Sequence, residues 1–300
     1  MSTRGSRSVA ALARTLAARV ASALCLVARR GCPRDGVVAL VGAGPGDADL
    51  LTLRAATLIR EADVIVHDRL VAREILAMAH PGARLVDVGK RRAHHRCSQD
   101  EINELLVRLA REGRRVVRLK GGDPLIFGRG GEEATSLARA GVDYELVPGV
   151  TAASACAAGA RIPLTHRGVA SGCVFITGHT RDGAPDPDWP LLARTRQTLV
   201  VYMGLHTLPE IVSQLLSNGR GGNTPVALVE RGGTPRQRVV TGTLASIAAR
   251  ARVARIASPA LVIIGEVVDL RAALDPAVAL APEAKAQALL PRGDPAARAA

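Results

Sequence analysis

Aromatic residues are scarce in this chain. Phe127, Phe175, Tyr144, Tyr202 and Trp189 are the only five among 300 residues. Unpaired bases need a series of aromatic faces to stack on, so this scarcity argues against a single-strand nucleic-acid platform. Long apolar runs are also missing, because Arg, Asp, Glu or Gly interrupts every stretch before the roughly 20 residues that a membrane-spanning helix requires. The five cysteines, Cys25, Cys32, Cys97, Cys156 and Cys173, form no CxxC pair, and no HExxH cluster accompanies them. Neither a disulfide framework nor a metal site is expected, and a reducing compartment fits best. Acids are outnumbered as well, with 27 Asp and Glu against 40 Lys and Arg, for a formal charge of +13. Residues 1–35 hold seven Arg against the single acid Asp35 and account for +6 of that excess, leaving +7 for the rest. Such a balance favours anionic partners: nucleic acid, a membrane surface or a small polyanion.

What is present is an ordinary globular composition, 48% apolar and 22% charged, in a chain long enough for two cores. The Ala- and Arg-rich residues 1–35 read as a basic leader outside the fold. Their one apolar stretch, Val20–Ala28, ends at Arg29-Arg30 and not at a small-residue cleavage site, so a secretory signal does not fit. An organelle transit segment, a disordered tail or an unused upstream start all stay open. Residues 276–300 read as a second tail. Between the two, β-branched apolar runs at Val37–Val41, Val64–His67, Leu85–Val88, Val116–Leu119 and Tyr144–Val147 alternate with helical patterns, as expected of a mostly parallel sheet with crossover helices. Ser98 and Glu101 have capping-box spacing ahead of Ile102, Leu105, Leu106 and Leu109, which fall on one helix face. After Pro148-Gly149 a second series follows: Val174–Thr177, Leu199–Met203, Val226–Glu230, Val239–Gly242 and Leu261–Gly265, with a helix over Leu208–Leu216. The expected architecture is therefore two α/β lobes, residues 36–149 and 150–275.

Four segments carry residues suited to chemistry. Gly42-Ala43-Gly44-Pro45-Gly46-Asp47 closes the first strand, where open α/β sheets bind ligands. Its GxGxG spacing, with Pro45 where a helix would begin, fits neither a dinucleotide loop nor a phosphate loop, and alone it serves structure or function equally. Asp68 follows the strand Val64–His67, where a carboxylate can accept a proton or simply cap the next helix. Lys90, in Gly89-Lys90-Arg91-Arg92, is either part of a solvated basic loop or a proton donor beside an anionic substrate, with Arg91 and Arg92 as planar forks for carboxylates. The densest segment is Arg118–Glu133. Its Gly121-Gly122-Asp123-Pro124 makes a close-approach turn whose Asp can take ligand hydroxyls or an ammonium. Finally, Val147-Pro148-Gly149-Val150-Thr151-Ala152-Ala153-Ser154 opens a helix, either plainly or with its N-terminus toward a ligand carboxylate.

Taken in order, Gly42–Asp47 with Leu50-Leu51-Thr52-Leu53-Arg54-Ala55, Asp68-Arg69-Leu70-Val71, Gly89-Lys90-Arg91, Leu119–Glu133, Val147–Ala153 and Pro163-Leu164-Thr165-His166-Arg167 resemble the tetrapyrrole methylase family. The likeness runs over residues 37–272, through Thr177-Gly178-His179, Tyr202-Met203-Gly204 and Glu230-Arg231-Gly232. The resemblance implies two α/β lobes with the active-site trough between them, in a homodimer. It implies S-adenosyl-L-methionine held by Pro45, Gly121, Gly122, Asp123, Ile126, Thr151, Ala152, Met203 and Gly232. It also implies Asp68 as proton acceptor and Lys90 as proton donor. The expected reaction is C-methylation of uroporphyrinogen III, twice, to precorrin-2, on the way to sirohaem or cobalamin. A later precorrin C-methyltransferase is the sibling alternative, and an RNA-binding module or rRNA methylase is the alternative of a different class. An anionic tetrapyrrole suits a basic trough, with Arg91, Arg92, Arg129 and Arg167 as grips. NAD, a metal, nucleic acid and membrane are not expected as partners. Cytoplasm is the expected location, with an organelle the alternative if the leader is a transit segment.

Overall fold

The structure, a computed structural model, describes residues 36–89, 97–179 and 186–275. The leader, the tail and the site candidates Lys90, Arg91 and Arg92 lie outside the described residues.

The first sheet holds β1 (Val38–Gly42), β2 (Val64–His67), β3 (Arg84–Asp87), β4 (Val116–Lys120) and β5 (Tyr144–Val147) in the order β3-β2-β4-β1-β5. Every neighbouring pair is parallel, as the alternating pattern predicted. The central strands β1 and β4 are buried along their whole length; β1 is apolar accordingly, whereas β4 buries Arg118 and Lys120 among its apolar residues. Alternate residues serve opposite faces: Val38 and Leu40 join one core, Ala39 and Val41 the other. Helices α1 (Leu53–Glu61), α2 (Arg73–Leu76), α3 (Gln99–Arg111) and α4 (Gly130–Arg139) make the connections. The capping box predicted for α3 forms in both directions. Glu101 N donates to Ser98 Oγ at 3.1 Å, and Ser98 N donates to Glu101 Oε2 at 2.6 Å, so Ile102, Leu106 and Leu109 are presented to the core.

Helix α5 (Ala152–Ala160) leads into the second sheet, made of β6 (Cys173–Thr177), β7 (Thr198–Tyr202), β8 (Pro225–Glu230), β9 (Arg238–Thr243) and β10 (Ala260–Ile264). Its order is β6-β7-β10-β8-β9. Here only β6 and β7 are parallel; β7–β10, β10–β8 and β8–β9 are antiparallel. The reason is visible in the chain. Only Arg231–Gln237 separates β8 from β9, which allows a hairpin but not the dozen or so residues of a crossover. Helices α6 (Trp189–Arg194), α7 (Leu208–Ser217), α8 (Ile247–Val253) and α9 (Arg271–Leu274) complete the lobe. Its two cores again split one strand, Leu199 and Val201 facing one and Val200 and Tyr202 the other.

Candidate functional site

Because the first sheet is parallel, the loops after β1, β2, β4 and β5 all emerge at one edge. They are tied together there by backbone. Gly122 N donates to Gly44 O at 2.7 Å and Gly44 N to Gly122 O at 3.2 Å, pairing the Gly42–Asp47 turn with the Gly121–Pro124 turn. A Cβ on Gly42 would stand 2.6 Å from both Gly122 O and Gly149 Cα, so the three chains approach as closely as backbone permits. Asp123 completes the knot: Oδ1 accepts from Leu125 N at 2.8 Å and Oδ2 from Gly149 N at 3.1 Å. Its carboxylate thus braces the turn and the start of α5, a structural role beside the ligand role expected of it.

Gly122 itself has φ of +69°. A Cβ there would find only ordinary contacts, Ala152 N at 3.7 Å and Thr151 Cα at 3.9 Å. A Cβ at this glycine would thus just touch the head of α5, and it is the positive φ that makes a side chain strained there. That helix start is fixed from the second lobe, where Tyr202 Oη lies 2.7 Å from Thr151 Oγ1 and accepts from Ala153 N at 3.1 Å. Burial pushes the Tyr202 phenol up from its ordinary value, so it stays a neutral donor and acceptor. Phe127 packs on the Tyr202 ring, with centroids 4.9 Å apart, and Ile126 packs into the same second-lobe core. Met203, next along from Tyr202, has φ of +55° and is 52% exposed. Gly232 lies so close against α5 that a Cβ would overlap Cys156 Sγ. A Cβ on the adjoining Gly233 would come 2.8 Å from Pro45, which puts the turn after β8 against the turn after β1. Of the nine expected cofactor residues, Pro45, Gly121, Gly122, Asp123, Thr151, Ala152 and Gly232 are linked by these contacts, with Ile126 and Met203 on their flanks.

Asp68 follows β2, on the neighbouring loop, with its side chain 32% exposed. It does not stand alone. Arg118 Nη2 donates to Asp68 Oδ1 at 2.6 Å, and Lys120 Nζ lies 3.9 Å from Oδ2. Both cations are buried, and beneath them is Glu133 of α4, fully buried. Glu133 Oε1 accepts from Arg118 Nε at 3.0 Å, Lys120 Nζ at 2.9 Å and Gln99 Nε2 at 3.2 Å. Burial, then Arg118, lowers Lys120 from its ordinary value. Two cations and two carboxylates balance, with only the Asp68 end open to the crevice. Arg118, Lys120 and Glu133 are not among the site residues expected from the sequence, although they anchor Asp68. The available signal was the i, i+2 spacing of Arg118 and Lys120 in a central strand, which turns both to one face.

The link from Asp68 to the glycine turn is short: a Cβ on Gly121 would stand 3.1 Å from Leu70 Cβ. Of the expected grips, Arg129 already engages Glu132 through both Nε, at 2.8 Å, and Nη2, at 2.6 Å. Arg167 is exposed in the second lobe, beside the bridge between His166 and Ala170. No group of three or more His, Cys, Asp or Glu among the described residues could hold a metal ion.

Two α/β lobes, joined through glycine-rich loops at the ends of their strands, define the class. Residues 37–248 match the family of Tetrapyrrole (Corrin/Porphyrin) Methylases, and the chain belongs to that family. It is 56% identical over 245 residues to a sirohaem synthase of Methylococcus capsulatus, covering 81% of this chain and 52% of that protein. It is also 56% identical over 236 residues to a sirohaem synthase of Azotobacter vinelandii, covering 79% and 51%. The chain thus spans about half the length of these curated relatives. Among solved structures, uroporphyrin-III C-methyl transferase from Thermus thermophilus, complexed with S-adenyl homocysteine, superposes with a TM-score of 0.68 at 48% identity. That match covers 78% of this chain and 100% of the other. A cobalt precorrin-4 methyltransferase gives a TM-score of 0.70 at 28% identity, covering 77% and 95%.

Proposed function

We propose that this chain transfers methyl groups from S-adenosyl-L-methionine to two carbons of uroporphyrinogen III, giving precorrin-2. The observation that carries the reading is Asp68, an open carboxylate seated on buried cations, one short loop away from the glycine turn. The family membership and the 48% identity to a uroporphyrin-III C-methyl transferase support the same substrate.

The residues suit the cofactor. Gly122, with no side chain and φ of +69° beside Thr151 and Ala152, would let a ligand approach the backbone closely, and exposed Met203 offers an apolar contact nearby. Pro45, Gly121, Asp123, Ile126 and Gly232 would form the remaining walls. When bound, S-adenosyl-L-methionine supplies an electrophilic sulfonium methyl. The chain's own part is alignment and proton handling. Holding the two reactants in register can contribute on the order of 7–11 kcal/mol. Asp68 accepts the proton that a methylated pyrrole ring must shed, and Arg118 fixes the orientation of its carboxylate. Lys90 is assigned the complementary proton donation. Arg91, Arg92 and Arg167 are assigned to the acetate and propionate arms, with Arg129 reaching them through whatever its bond to Glu132 leaves free. The same reading takes the enzyme to be a cytoplasmic homodimer without nucleic-acid or membrane partners. Among the described residues, no helix is long and apolar enough to cross a membrane.

The test is anaerobic incubation of the purified chain with S-adenosyl-L-methionine and freshly generated uroporphyrinogen III, following the mass of the tetrapyrrole. A gain of two methyl groups is expected. No gain, with the cofactor bound, would move the substrate to a later precorrin or away from tetrapyrroles.

A further inference from the structure

The turn between β8 and β9 reaches from the second lobe to the first-lobe turn that bears Pro45, and its conformation depends on a side chain outside the site. Gln237, half-buried at the far end of the turn, folds back so that its Oε1 accepts from Gly233 N at 3.0 Å. Gly233 has φ of +73°, and a Cβ on it would press on Pro45 at 2.8 Å and Ala155 at 3.1 Å. Next to it, Thr234 Oγ1 donates to Arg231 O at 2.8 Å, and Thr234 Cγ2 lies 3.5 Å from where a Cβ of Gly46 would be. The turn therefore has one side on Pro45 and Gly46 of the first lobe and the other on α5.

The Gln237 amide is itself confined by α5. A Cβ on Gly159 would overlap Gln237 Oε1 and come within 3.0 Å of its Cδ and Nε2. Gly159 lies inside a helix, where glycine costs about 1 kcal/mol relative to alanine, so a local helical requirement does not account for it. What it leaves is room for the amide that holds Gly233. The same helix supplies Thr151 and Ala152 at its head and rests Cys156 against Gly232.

We propose that Gln237 is a positioning residue for cofactor binding, setting the Gly232-Gly233 turn against Pro45, and that Gly159 is glycine to give it room. The proposal rests on the reading above that this crevice takes S-adenosyl-L-methionine. It requires neither residue to touch the ligand.

The experiment is calorimetric titration of the full chain and its variants with S-adenosyl-L-homocysteine, alongside kcat and KM for S-adenosyl-L-methionine. Loss of one hydrogen bond that orders the turn predicts affinity on the order of tenfold weaker in Gln237→Ala. KM should rise by a similar factor, with kcat at saturation little changed. Gln237→Glu keeps an acceptor oxygen for Gly233 N and should bind nearly as the natural chain does. Gly159→Ala should weaken binding by displacing the amide. The double variant Gly159→Ala, Gln237→Ala should be no weaker than Gln237→Ala alone, because the displaced group is gone. Unchanged affinity in Gln237→Ala overturns the proposal, and so does a double variant whose losses simply multiply. If Gly159→Ala does not fold, the Gln237→Ala and Gln237→Glu pair decides alone, since Gln237 lies only half-buried. Absence of binding by the natural chain would instead bring down the cofactor reading, and this proposal with it.

Discussion

The first sheet runs parallel throughout, whereas the second is parallel only between β6 and β7. Both nevertheless send several loops to one edge. In the second sheet β10 runs antiparallel to both β7 and β8, so β8 points the same way as β6 and β7. The difference lies in what each lobe buries. In the first, Arg118, Lys120 and Glu133 form a charged stack whose open end is Asp68. In the second, buried charge braces the fold: Arg220 donates to Leu192 O at 3.0 Å, and Glu230 Oε2 accepts from Arg238 at 3.0 Å. The first lobe thus gathers its buried charge beneath one partly exposed carboxylate, while the second meets it through Tyr202 at Thr151 and through Gly233 at Pro45. Among the described residues each lobe also leaves one buried side-chain polar atom without a hydrogen-bond partner, Glu133 Oε2 in the first and Thr198 Oγ1 in the second.

The contrast can be broken by substitution. The largest effect is expected for Glu133→Ala, which leaves two buried cations without their shared carboxylate and should destabilise the chain by about 3–5 kcal/mol. Urea unfolding measures this, and a loss below about 1 kcal/mol would mean that the stack relaxes freely. Next comes Asp68→Asn, whose cost falls on turnover. A lost proton acceptor is worth about 100- to 10,000-fold in rate. Binding of S-adenosyl-L-homocysteine should survive, because Asp68 sits beside the glycine turn and forms none of its bonds; an equal loss of both would place Asp68 on the cofactor side. Smallest is Thr198→Val in the second lobe. Thr198 Oγ1 is buried without a hydrogen-bond partner, so removing it should raise stability by about 1 kcal/mol with activity unchanged. A destabilised Thr198→Val would show that this hydroxyl supports the second lobe and is no cost to it.

Much of this was legible in the sequence. The strands of the first lobe fall within a residue or two of their β-branched apolar runs, since strands buried in a parallel sheet are mostly apolar. The glycine turns were legible for a related reason: Gly42, Gly122 and Gly149 meet backbone to backbone, and only a glycine-rich sequence permits that. The β8–β9 hairpin follows from the short stretch between them, but the direction of β10 was not legible, because Leu261–Gly265 reads the same in either direction. Nor was the Arg118–Lys120–Glu133 stack, because in a strand otherwise apolar a charged residue gives no sign of which partner it meets. Glu133 follows Lys120 by thirteen positions and reaches it only through the placement of α4 against β4.

Four non-glycine residues at the crevice, Phe127, Arg129, Met203 and Arg231, hold the left-handed backbone conformation. Each costs on the order of 1–2 kcal/mol relative to a relaxed chain, and the four cores beneath must sustain that tension. Glycine at these positions would relieve it and raise thermal endurance, yet would also let the turns wander among many shapes. At this edge of the molecule, durability and precision pull in opposite directions, and the sequence has settled on precision.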